Sequence, residues 1–289
     1  MKIGIIGMGH PFASQYKALK DLGYEIVLCD IDYDKMKNYD EDKYIDYKDL
    51  LHKVDVVLIS TPPKCHYDLV KYFLENGLKV ICEKPLVVKQ KDLIELNNLV
   101  NNNFYNILHF SFGEEVNWFL NNNIYGKSKR IEVFINDPYI DNMNVREEVI
   151  SLSGAYLDET INPLSAIKRI FNEKITFLDV HKEYSKNNID YIANSKFLVG
   201  DIEVFINVSW NDENNREKYM DLYFEDQVIR LDSYNVKVID LTNNVTLFKS
   251  NNNRMYMHYY NGFKNLTFIN KDWVNAFEIN KSILEGMYD

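Results

Sequence analysis

The chain has 289 residues, of which 46% are hydrophobic and 26% are charged. This balance excludes a mainly disordered or fibrous protein, and the length favours two domains. The formal net charge of −10 argues against coating of a nucleic-acid backbone. No stretch approaches the roughly 18 apolar residues of a membrane helix, and the N-terminal apolar run is too short for a signal peptide. We therefore expect a cytoplasmic protein that binds neither nucleic acid nor membrane.

The first third of the chain alternates between short apolar runs and segments with helical spacing. Apolar runs lie at 2–6, 25–29, 54–59, 78–82 and 104–109, and helical segments at 12–22, 66–75 and 89–100. Continuous apolar runs are typical of parallel strands that are buried on both faces. Strands that alternate with helices form right-handed βαβ units. Residues 1–120 are thus predicted to form a Rossmann-type, doubly wound parallel sheet, which makes the fold class α/β.

The pattern changes after residue 120. Residues 130–136 alternate with period two, and 157–171 and 272–286 have helical spacing. Further strands are predicted at 175–184, 190–199, 202–210, 219–224, 227–231 and 236–240. Consecutive strands with short turns favour an antiparallel sheet. Residues 121–289 are therefore predicted to be an α+β domain on a largely antiparallel open sheet, whose uncovered face predicts a homodimer or homotetramer.

The cysteines and histidines give no sign of a disulfide or a metal site. Cys29, Cys65 and Cys82 lie far apart, in or beside apolar segments, and their odd number does not fit a disulfide framework. We expect buried structural thiols. His181 and His258 have no second ligand at metal-binding spacing, so we predict no metal site.

A glycine-containing turn follows the first predicted strand and opens the first predicted helix. Gly7 permits a tight turn, and Gly9 lets the backbone approach a pyrophosphate at the helix N-terminus. Phe12 stands where the full dinucleotide motif has a small residue, so a generic strand–helix turn is the alternative. Asp30 follows the second strand, where an acid binds the adenosine ribose. Its charge would repel a 2′-phosphate and predicts NAD rather than NADP, with an ordinary loop acid as the alternative.

Three further stretches together resemble the Gfo/Idh/MocA family of oxidoreductases. Residues 56–66 are similar to the family's strand, Thr-Pro turn and histidine, and residues 80–86 look like its Glu-Lys-Pro signature. Residues 158–165 occupy the place of the family's Asp-x-Gly-x-His segment, with Thr160 for the glycine and Asn162 for the histidine. The resemblance spans nearly the whole chain and implies a Rossmann domain that binds a nicotinamide cofactor.

The resemblance also implies roles for residues near that cofactor. Thr61, Pro62 and His66 are implied to line the cofactor site, and Glu83 to support the next loop. The Lys84–Pro85 peptide is implied to be cis. For His66, a partly buried helix residue that satisfies a backbone carbonyl is an equal alternative.

Asn162 resembles the equivalent residue of one branch of the family. An Asp-x-x-x-Asn motif followed by an apolar-Ser-apolar helix looks like the galactose and arabinose 1-dehydrogenases, and residues 257–263 resemble that branch's aromatic segment. By resemblance, these enzymes oxidise a pyranose at C1 to a lactone and pass the hydride to a nicotinamide. We therefore expect a sugar dehydrogenase that uses NAD, with NADP as the alternative cofactor.

Lys84, Asp158 and Asn162 are the predicted catalytic residues. Lys84 follows a parallel strand, where the crevice of an open sheet forms, and could serve the C1 oxygen as a proton partner or a fixed charge. Asp158 and Asn162 share one helix face, so Asp158 could accept the hydroxyl proton while Asn162 binds sugar oxygens. Because Pro163 follows, Asn162 also has the pattern of a helix N-cap, and the spacing alone favours capping.

His109 and Asp137 are the predicted substrate contacts. His109 ends a predicted strand, at the sheet edge that should face the substrate, and Asp137 follows the strand at 130–136. A histidine or carboxylate in solvent is the alternative for each.

Two other functions are open at this point. The same fold could act on a nucleotide-linked sugar, an imine or another cyclic alcohol. Phe12 and the missing histidine also fit a non-catalytic relative that binds a sugar or a partner protein, although the retained Lys84 and Asp158 argue against it.

Overall fold

Runs of Val, Ile and Leu form a parallel sheet in the N-terminal part of the computed structural model, which describes residues 1–122, 125–211 and 216–287. The strands are β1 Lys2–Ile6, β2 Glu25–Cys29, β3 Asp42–Tyr44, β4 Val56–Ile59, β5 Lys79–Glu83 and β6 Phe104–Ile107. Their order in the sheet is β3-β2-β1-β4-β5-β6. The order reverses between β1 and β4, which confirms the predicted Rossmann-type, doubly wound sheet.

Helices connect and cover the strands. They are α1 Phe12–Asp21, α2 Tyr33–Met36, α3 His66–Glu75, α4 Gln90–Asn97, α5 Glu114–Asn122, α6 Ala155–Phe171, α7 Arg254–Lys264 and α8 Asn270–Glu285. The chain leaves α3 through Gly77, whose φ of +78° only glycine adopts without strain. Short 3-10 turns lie at Tyr47–Leu50, Pro63–Cys65, His109–Phe112 and Glu147–Leu152.

A second, mostly antiparallel sheet follows in the chain. Its strands are β7 Arg130–Asn136, β10 Ile175–Tyr184, β11 Asp190–Val199, β12 Ile202–Ser209, β13 Lys218–Tyr223, β14 Val228–Asp232, β15 Lys237–Asp240 and β16 Val245–Lys249, while β8 Ile140–Asp141 and β9 Asn144–Val145 form a separate hairpin. The order is β10-β11-β12-β7-β13-β14-β15-β16. The β12–β7 pair is parallel and the other neighbouring pairs are antiparallel. The predicted α+β architecture with a largely antiparallel sheet is confirmed.

The chain divides into two units. The first unit comprises Met1–Leu108 and Met255–Phe277, and the second comprises His109–Arg254 and Glu278–Asp289. The boundary predicted at residue 120 thus falls within the second unit. The first unit also contains a segment from near the C-terminus that chain order does not reveal.

The start of α6 is capped from a distant strand. The Asp190 carboxylate, at the first residue of β11, accepts the Tyr156 N–H at 2.7 Å. Gly154 precedes the helix with a φ of +100°, and a Cβ there would lie 2.0 Å from Asp190 Oδ1. The cap therefore requires a carboxylate on β11 and a glycine before the helix, and it stabilises the helix N-terminus.

Asn162 and Pro163 consequently lie inside α6 rather than at its start. The prediction that Asn162 is an N-cap is wrong, because the cap supplied by Asp190 begins the helix about two turns earlier. Pro163 only removes the N–H that would have bonded the carbonyl of Glu159.

The described residues contain neither a membrane span nor a metal cluster. No helix among them is long and apolar enough to cross a membrane. No group of three or more His, Cys, Asp and Glu side chains among them is placed to hold a metal ion. Cys29 and Cys82 are buried and Cys65 is half-buried, and all three are free thiols.

Candidate functional site

The turn after β1 has the geometry of a dinucleotide cradle. Gly7 has a φ of +91°, and a Cβ there would lie 2.8 Å from the carbonyl oxygen of Ser60. At Gly9 the nearest atom to a Cβ would be 3.6 Å away, so the protein itself leaves room for a side chain. No side chain of the described residues caps α1 after Pro11. An uncapped helix N-terminus with open space above a glycine fits a pyrophosphate.

Phe12, the departure from the dinucleotide motif, is accommodated by aromatic packing. Its ring is buried, 5.6 Å from the ring centroid of Tyr16 and 5.4 Å from that of Tyr39. The helix meets the sheet through Gln15 and Ala18, which are fully buried. A small residue is thus not needed at position 12 for close helix–sheet packing.

Two orphaned hydroxyls lie at the end of β4, beside the glycine turn. Ser60 Oγ and Thr61 Oγ1 are buried and have no hydrogen-bond partner within the described part of the chain. Buried polar atoms are normally paired, so oxygens of a bound ligand would satisfy them. Pro62 follows them, is exposed, and begins the short turn that leads into α3.

Asp30 is fixed beside the same turn. Its Oδ2 accepts the Met8 N–H at 2.8 Å, and its Oδ1 accepts the Asp32 N–H at 2.9 Å. Each carboxylate oxygen keeps a lone pair for a ribose hydroxyl. Lys35 Nζ lies 3.5 Å from Oδ2 and offsets part of the negative charge that would repel a 2′-phosphate.

Glu83 holds the loop that carries Lys84. The buried Glu83 carboxylate accepts the Gln15 side-chain amide at 2.7 Å, the Tyr259 hydroxyl at 2.6 Å and the Lys84 N–H at 3.1 Å. Burial raises the pKa of Glu83, and the three donors oppose that shift. The Lys84–Pro85 peptide is cis, as the resemblance implied. Lys84 itself is half-buried, directly after the carboxyl end of β5.

His66 joins the two loops that follow β4 and β5. The ring is fully buried, with Nδ1 2.8 Å from the carbonyl oxygen of Pro85 and Nε2 2.8 Å from that of Thr61. Burial lowers the pKa of His66. A neutral imidazole donates to one of these two carbonyl oxygens and lies against the other, so His66 ties the two loops together.

In the second unit, Asp158 and Asn162 share a buried face of α6, as their spacing predicted. The Asn162 amide nitrogen donates to Glu159 Oε2 at 3.0 Å and to the Asp158 carbonyl oxygen at 3.5 Å. The two predicted residues are thus parts of one hydrogen-bonded group, which also includes Glu159.

A buried ion cluster continues from this face of α6 to the sheet. Lys218 Nζ, at the first residue of β13, contacts Asp137 Oδ2 and lies 3.3 Å from Glu159 Oε1. Burial and the Glu159 carboxylate raise the pKa of Asp137, and Lys218 opposes that shift. Sequence reasoning missed Lys218 and Glu159. The sequence shows only that Asp137 follows one predicted strand and that Lys218 precedes another, which does not specify their contact.

His109 is buried, but it does not end a strand. Strand β6 ends at Ile107, and His109 opens a 3-10 turn in the second unit. The predicted strand end at 109 is wrong because Arg169 of α6 holds this turn, donating to the Ser111 carbonyl and stacking 4.8 Å from the Phe112 ring centroid.

The sequence of the first unit matches a known family. Residues 1–104 match the profile of the Gfo/Idh/MocA oxidoreductase family, described as an NAD-binding Rossmann fold. Residues 1–104 are thus an NAD(P)-binding Rossmann domain of the kind that this profile describes. The glycine turn, Asp30 and the orphaned hydroxyls lie after β1, β2 and β4 of this domain. A search of curated proteins by sequence found no match.

Solved structures of low sequence identity share the fold over nearly the whole chain. UDP-N-acetylglucosamine 3-dehydrogenase GnnA from Acidithiobacillus ferrooxidans is 15% identical, with a TM-score of 0.77 over 99% of this chain and 96% of that one. The 3-ketoreductase KijD10 from Actinomadura kijaniata, with NADP and TDP-benzene, is 13% identical, with a TM-score of 0.82 over 99% and 97%. An oxidoreductase from Agrobacterium radiobacter, with NAD+, L-tartaric acid and magnesium, is 16% identical, with a TM-score of 0.75 over 99% and 95%.

Proposed function

We propose that the protein is an NAD(P)-dependent dehydrogenase or reductase that acts on a CH–OH group of a sugar-like substrate. The observation that carries the proposal is the buried polar face of α6, which occurs in a chain that also has a nicotinamide-binding domain. The Glu159 carboxylate, the Asn162 amide and the Lys218 ammonium lie together there, and Asp158 lies on the same helix face as Asn162. Such a set suits a ligand with several hydroxyls, since it offers both donors and acceptors.

The nicotinamide supplies the hydride chemistry when bound, and the protein has to manage the proton. We propose Asp158 as the acceptor of the substrate hydroxyl proton, because a carboxylate accepts where the neutral Asn162 amide cannot. Lys84 is proposed as a proton partner or a fixed positive charge in the reaction, since it follows the carboxyl end of a parallel strand. His109 and Asp137 are proposed as substrate contacts.

We propose a nucleotide-linked sugar as the first substrate class and a free aldose oxidised at C1 as the second. GnnA is named as a 3-dehydrogenase of UDP-N-acetylglucosamine, and KijD10 as a 3-ketoreductase bound to TDP-benzene. These names favour a ring hydroxyl of a nucleotide-linked sugar. The Asp158–Asn162 spacing favours the galactose and arabinose enzymes, so both classes belong in the test.

The test is a substrate panel in both reaction directions. The purified protein is mixed with NAD or NADP and with UDP- and TDP-linked sugars or free aldoses, and the absorbance of the reduced cofactor is followed. The reverse direction uses the keto-sugars with NADH or NADPH. We expect cofactor-dependent turnover with members of one class. Cofactor binding without turnover of any compound would instead favour a non-catalytic relative.

Two variants test the proposed proton-handling residues. Asp158→Asn and Lys84→Ala should each lower single-turnover hydride transfer by about 10²–10⁴-fold, with NADH affinity nearly unchanged, because a positioned proton-transfer group has that effect. Glu225→Gln, at an exposed side chain, is the control. Near wild-type rates in both variants would show that neither residue carries the chemistry.

A further inference from the structure

We propose that Glu159 and Lys218 are positioning residues that fix the side-chain amide of Asn162 so that it presents its oxygen as a hydrogen-bond acceptor for a substrate hydroxyl. The proposal deepens the proposed function and rests on it for the identity of the ligand. The orientation of the amide, however, follows from the second unit alone.

The first step is that Lys218 pins Glu159. The ammonium lies 3.3 Å from Glu159 Oε1 and 3.5 Å from Oε2, and it also contacts Asp137. All three residues are buried, with exposed fractions of 8% for Lys218, 3% for Glu159 and 7% for Asp137. Buried charges hold their places when they are paired and hydrogen-bonded, so Glu159 has a fixed carboxylate plane.

The second step concerns the charge of this cluster. One ammonium faces two buried carboxylates in this cluster, those of Asp137 and Glu159. Burial and the Glu159 carboxylate raise the pKa of Asp137, and Lys218 opposes that shift. Glu159 Oε2 faces the amide nitrogen of Asn162, and a carboxylate oxygen that faces an N–H group is its acceptor.

The third step fixes the amide. Asn162 Nδ2 lies 3.0 Å from Glu159 Oε2 and 3.5 Å from the carbonyl oxygen of Asp158. Both neighbours are acceptors, so a flipped amide would set its oxygen against two other oxygens and lose both contacts. Asn162 Oδ1 makes no hydrogen bond within the described ranges, and it is not among the fully buried polar atoms that lack a partner. It is the free acceptor of this side chain.

An amide fixed in this way selects ligands by hydrogen-bond polarity. Asn162 Oδ1 can accept from an O–H group but cannot donate to an ether or a ketone oxygen. A histidine at this position, as in the family's motif, could do either according to its protonation. The protein should therefore favour an alcohol, or a hydroxyl next to the reacting carbon, over the same ligand with that hydrogen removed.

The orientation is tested by NMR without any substrate. The Asn162 side-chain amide signal is assigned by its loss in Asn162→Ser, and its hydrogen exchange is compared with that of exposed asparagine side chains. We expect exchange at least about tenfold slower in the wild type, and a loss of that protection in Glu159→Gln, whose amide can satisfy a flipped Asn162. Exchange as fast as at exposed asparagines would overturn the proposal.

The selectivity is tested with whichever compound the substrate panel identifies. Glu159→Gln should raise the dissociation constant of the alcohol about tenfold, the effect of losing one hydrogen bond, and that of the ketone should change less. Each compound is titrated with the form of the cofactor with which it cannot react, the alcohol with the reduced form and the ketone with the oxidised form. Glu225→Gln makes the same change of side chain at an exposed position and is the control. Lys218→Met should weaken binding of the alcohol as well. If Lys218→Met does not fold, the result for Glu159→Gln decides the test.

The two failures can be distinguished. An empty substrate panel contradicts the proposed function, while the NMR experiment still decides the orientation of Asn162. Turnover by the wild type with equal effects of Glu159→Gln on the alcohol and the ketone overturns the positioning role and leaves the proposed function intact.

Discussion

The turn after β1 contains two glycines, and the fold requires only one of them to be glycine. Gly7 needs a positive φ and has a backbone oxygen where its Cβ would be, whereas Gly9 has neither restriction. The fold therefore does not require glycine at position 9, and we propose that the approach of a ligand does.

This difference gives a prediction for Gly9→Ala. The variant should unfold at the same temperature as the wild type but bind NADH about tenfold more weakly, because a methyl group would occupy space needed by the pyrophosphate. Gly7→Ala, its matched comparison, should lose stability through strain. Thermal unfolding and NADH titration measure the two effects. Wild-type NADH affinity in Gly9→Ala would contradict the location of the cofactor.

Asp30 and Lys35 should have opposite effects on the choice of cofactor. Asp30→Asn removes the charge that repels a 2′-phosphate and should raise the affinity for NADP relative to NAD roughly tenfold, whereas Lys35→Met should lower it by a smaller factor because the lysine is exposed. Titration with both cofactors gives the ratio of dissociation constants. An unchanged ratio in Asp30→Asn would sink the proposed preference for NAD.

At the scale of elements, most strands could be predicted from the sequence. Each of them shows, along its own residues, either a continuous apolar run or an alternation of apolar and polar residues. Strand β3 was missed because its residues, Asp-Lys-Tyr, have no apolar pattern, and it is held only by pairing with β2. Helix α7 was read only as an aromatic segment, since its tyrosines and histidine have weak helix propensity. The start of α6 could not be read locally, because Asp190 caps it from 34 residues further along the chain.

The same distinction applies to the candidate site. Gly7, Gly9, Asp30 and the Glu-Lys-Pro loop have local signatures, so a sequence shows them. The ion pairs of Lys218 depend on strand pairing between β7 and β13, which places it near Asp137. No pattern along the chain specifies such a contact.

Helix α5 carries a buried carboxyl group whose titration should be measurable. Glu115 is fully buried and accepts the Ser233 hydroxyl at 2.6 Å, and burial raises its pKa from 4.5 to about 7 despite Arg254 nearby. The folded state therefore holds this proton more tightly than the unfolded state. Stability from this group is complete below pH 4.5 and is lost as the pH rises through about 7.

We predict that Glu115→Gln removes this pH dependence. The shift corresponds to roughly 3 kcal/mol of unfolding free energy between pH 4.5 and 7 at most, and glutamine keeps the acceptor for Ser233. Urea unfolding from pH 5 to 8 should give a flatter curve for the variant than for the wild type. The exposed Glu225→Gln change should leave the curve as it is, and parallel curves for Glu115→Gln and wild type would refute the assignment.

At the scale of the whole molecule, the uncovered face of the second sheet supports the expected homo-oligomer. Its aromatic rings are stacked with cations, with Arg230 3.6 Å from the Tyr219 ring centroid and Arg130 4.6 Å from that of Phe205. Phe134 lies on the same face, 5.3 Å from Tyr219 and 38% exposed. Ordered aromatic and arginine side chains are typical of the cores of protein interfaces.

We predict a dimer or tetramer that forms through this face. Light scattering at micromolar concentration should give a multiple of the 34.2 kDa chain mass. Phe134→Asp should shift the protein to monomers, because it would bury a charge in the interface, and Leu241→Asp, at another partly exposed apolar residue off the strands, serves for comparison. A wild-type monomer would contradict the prediction.

The return of residues 255–277 to the first unit has a consequence for synthesis on the ribosome. Tyr259 from this segment bonds Glu83, and Trp273 stacks edge-on against Phe104 at 5.1 Å. A nascent chain that has emerged only to residue 108 lacks both partners, so the loop that carries Lys84 is not fully held. The Rossmann domain is encoded first but is completed only after most of the second unit has been translated.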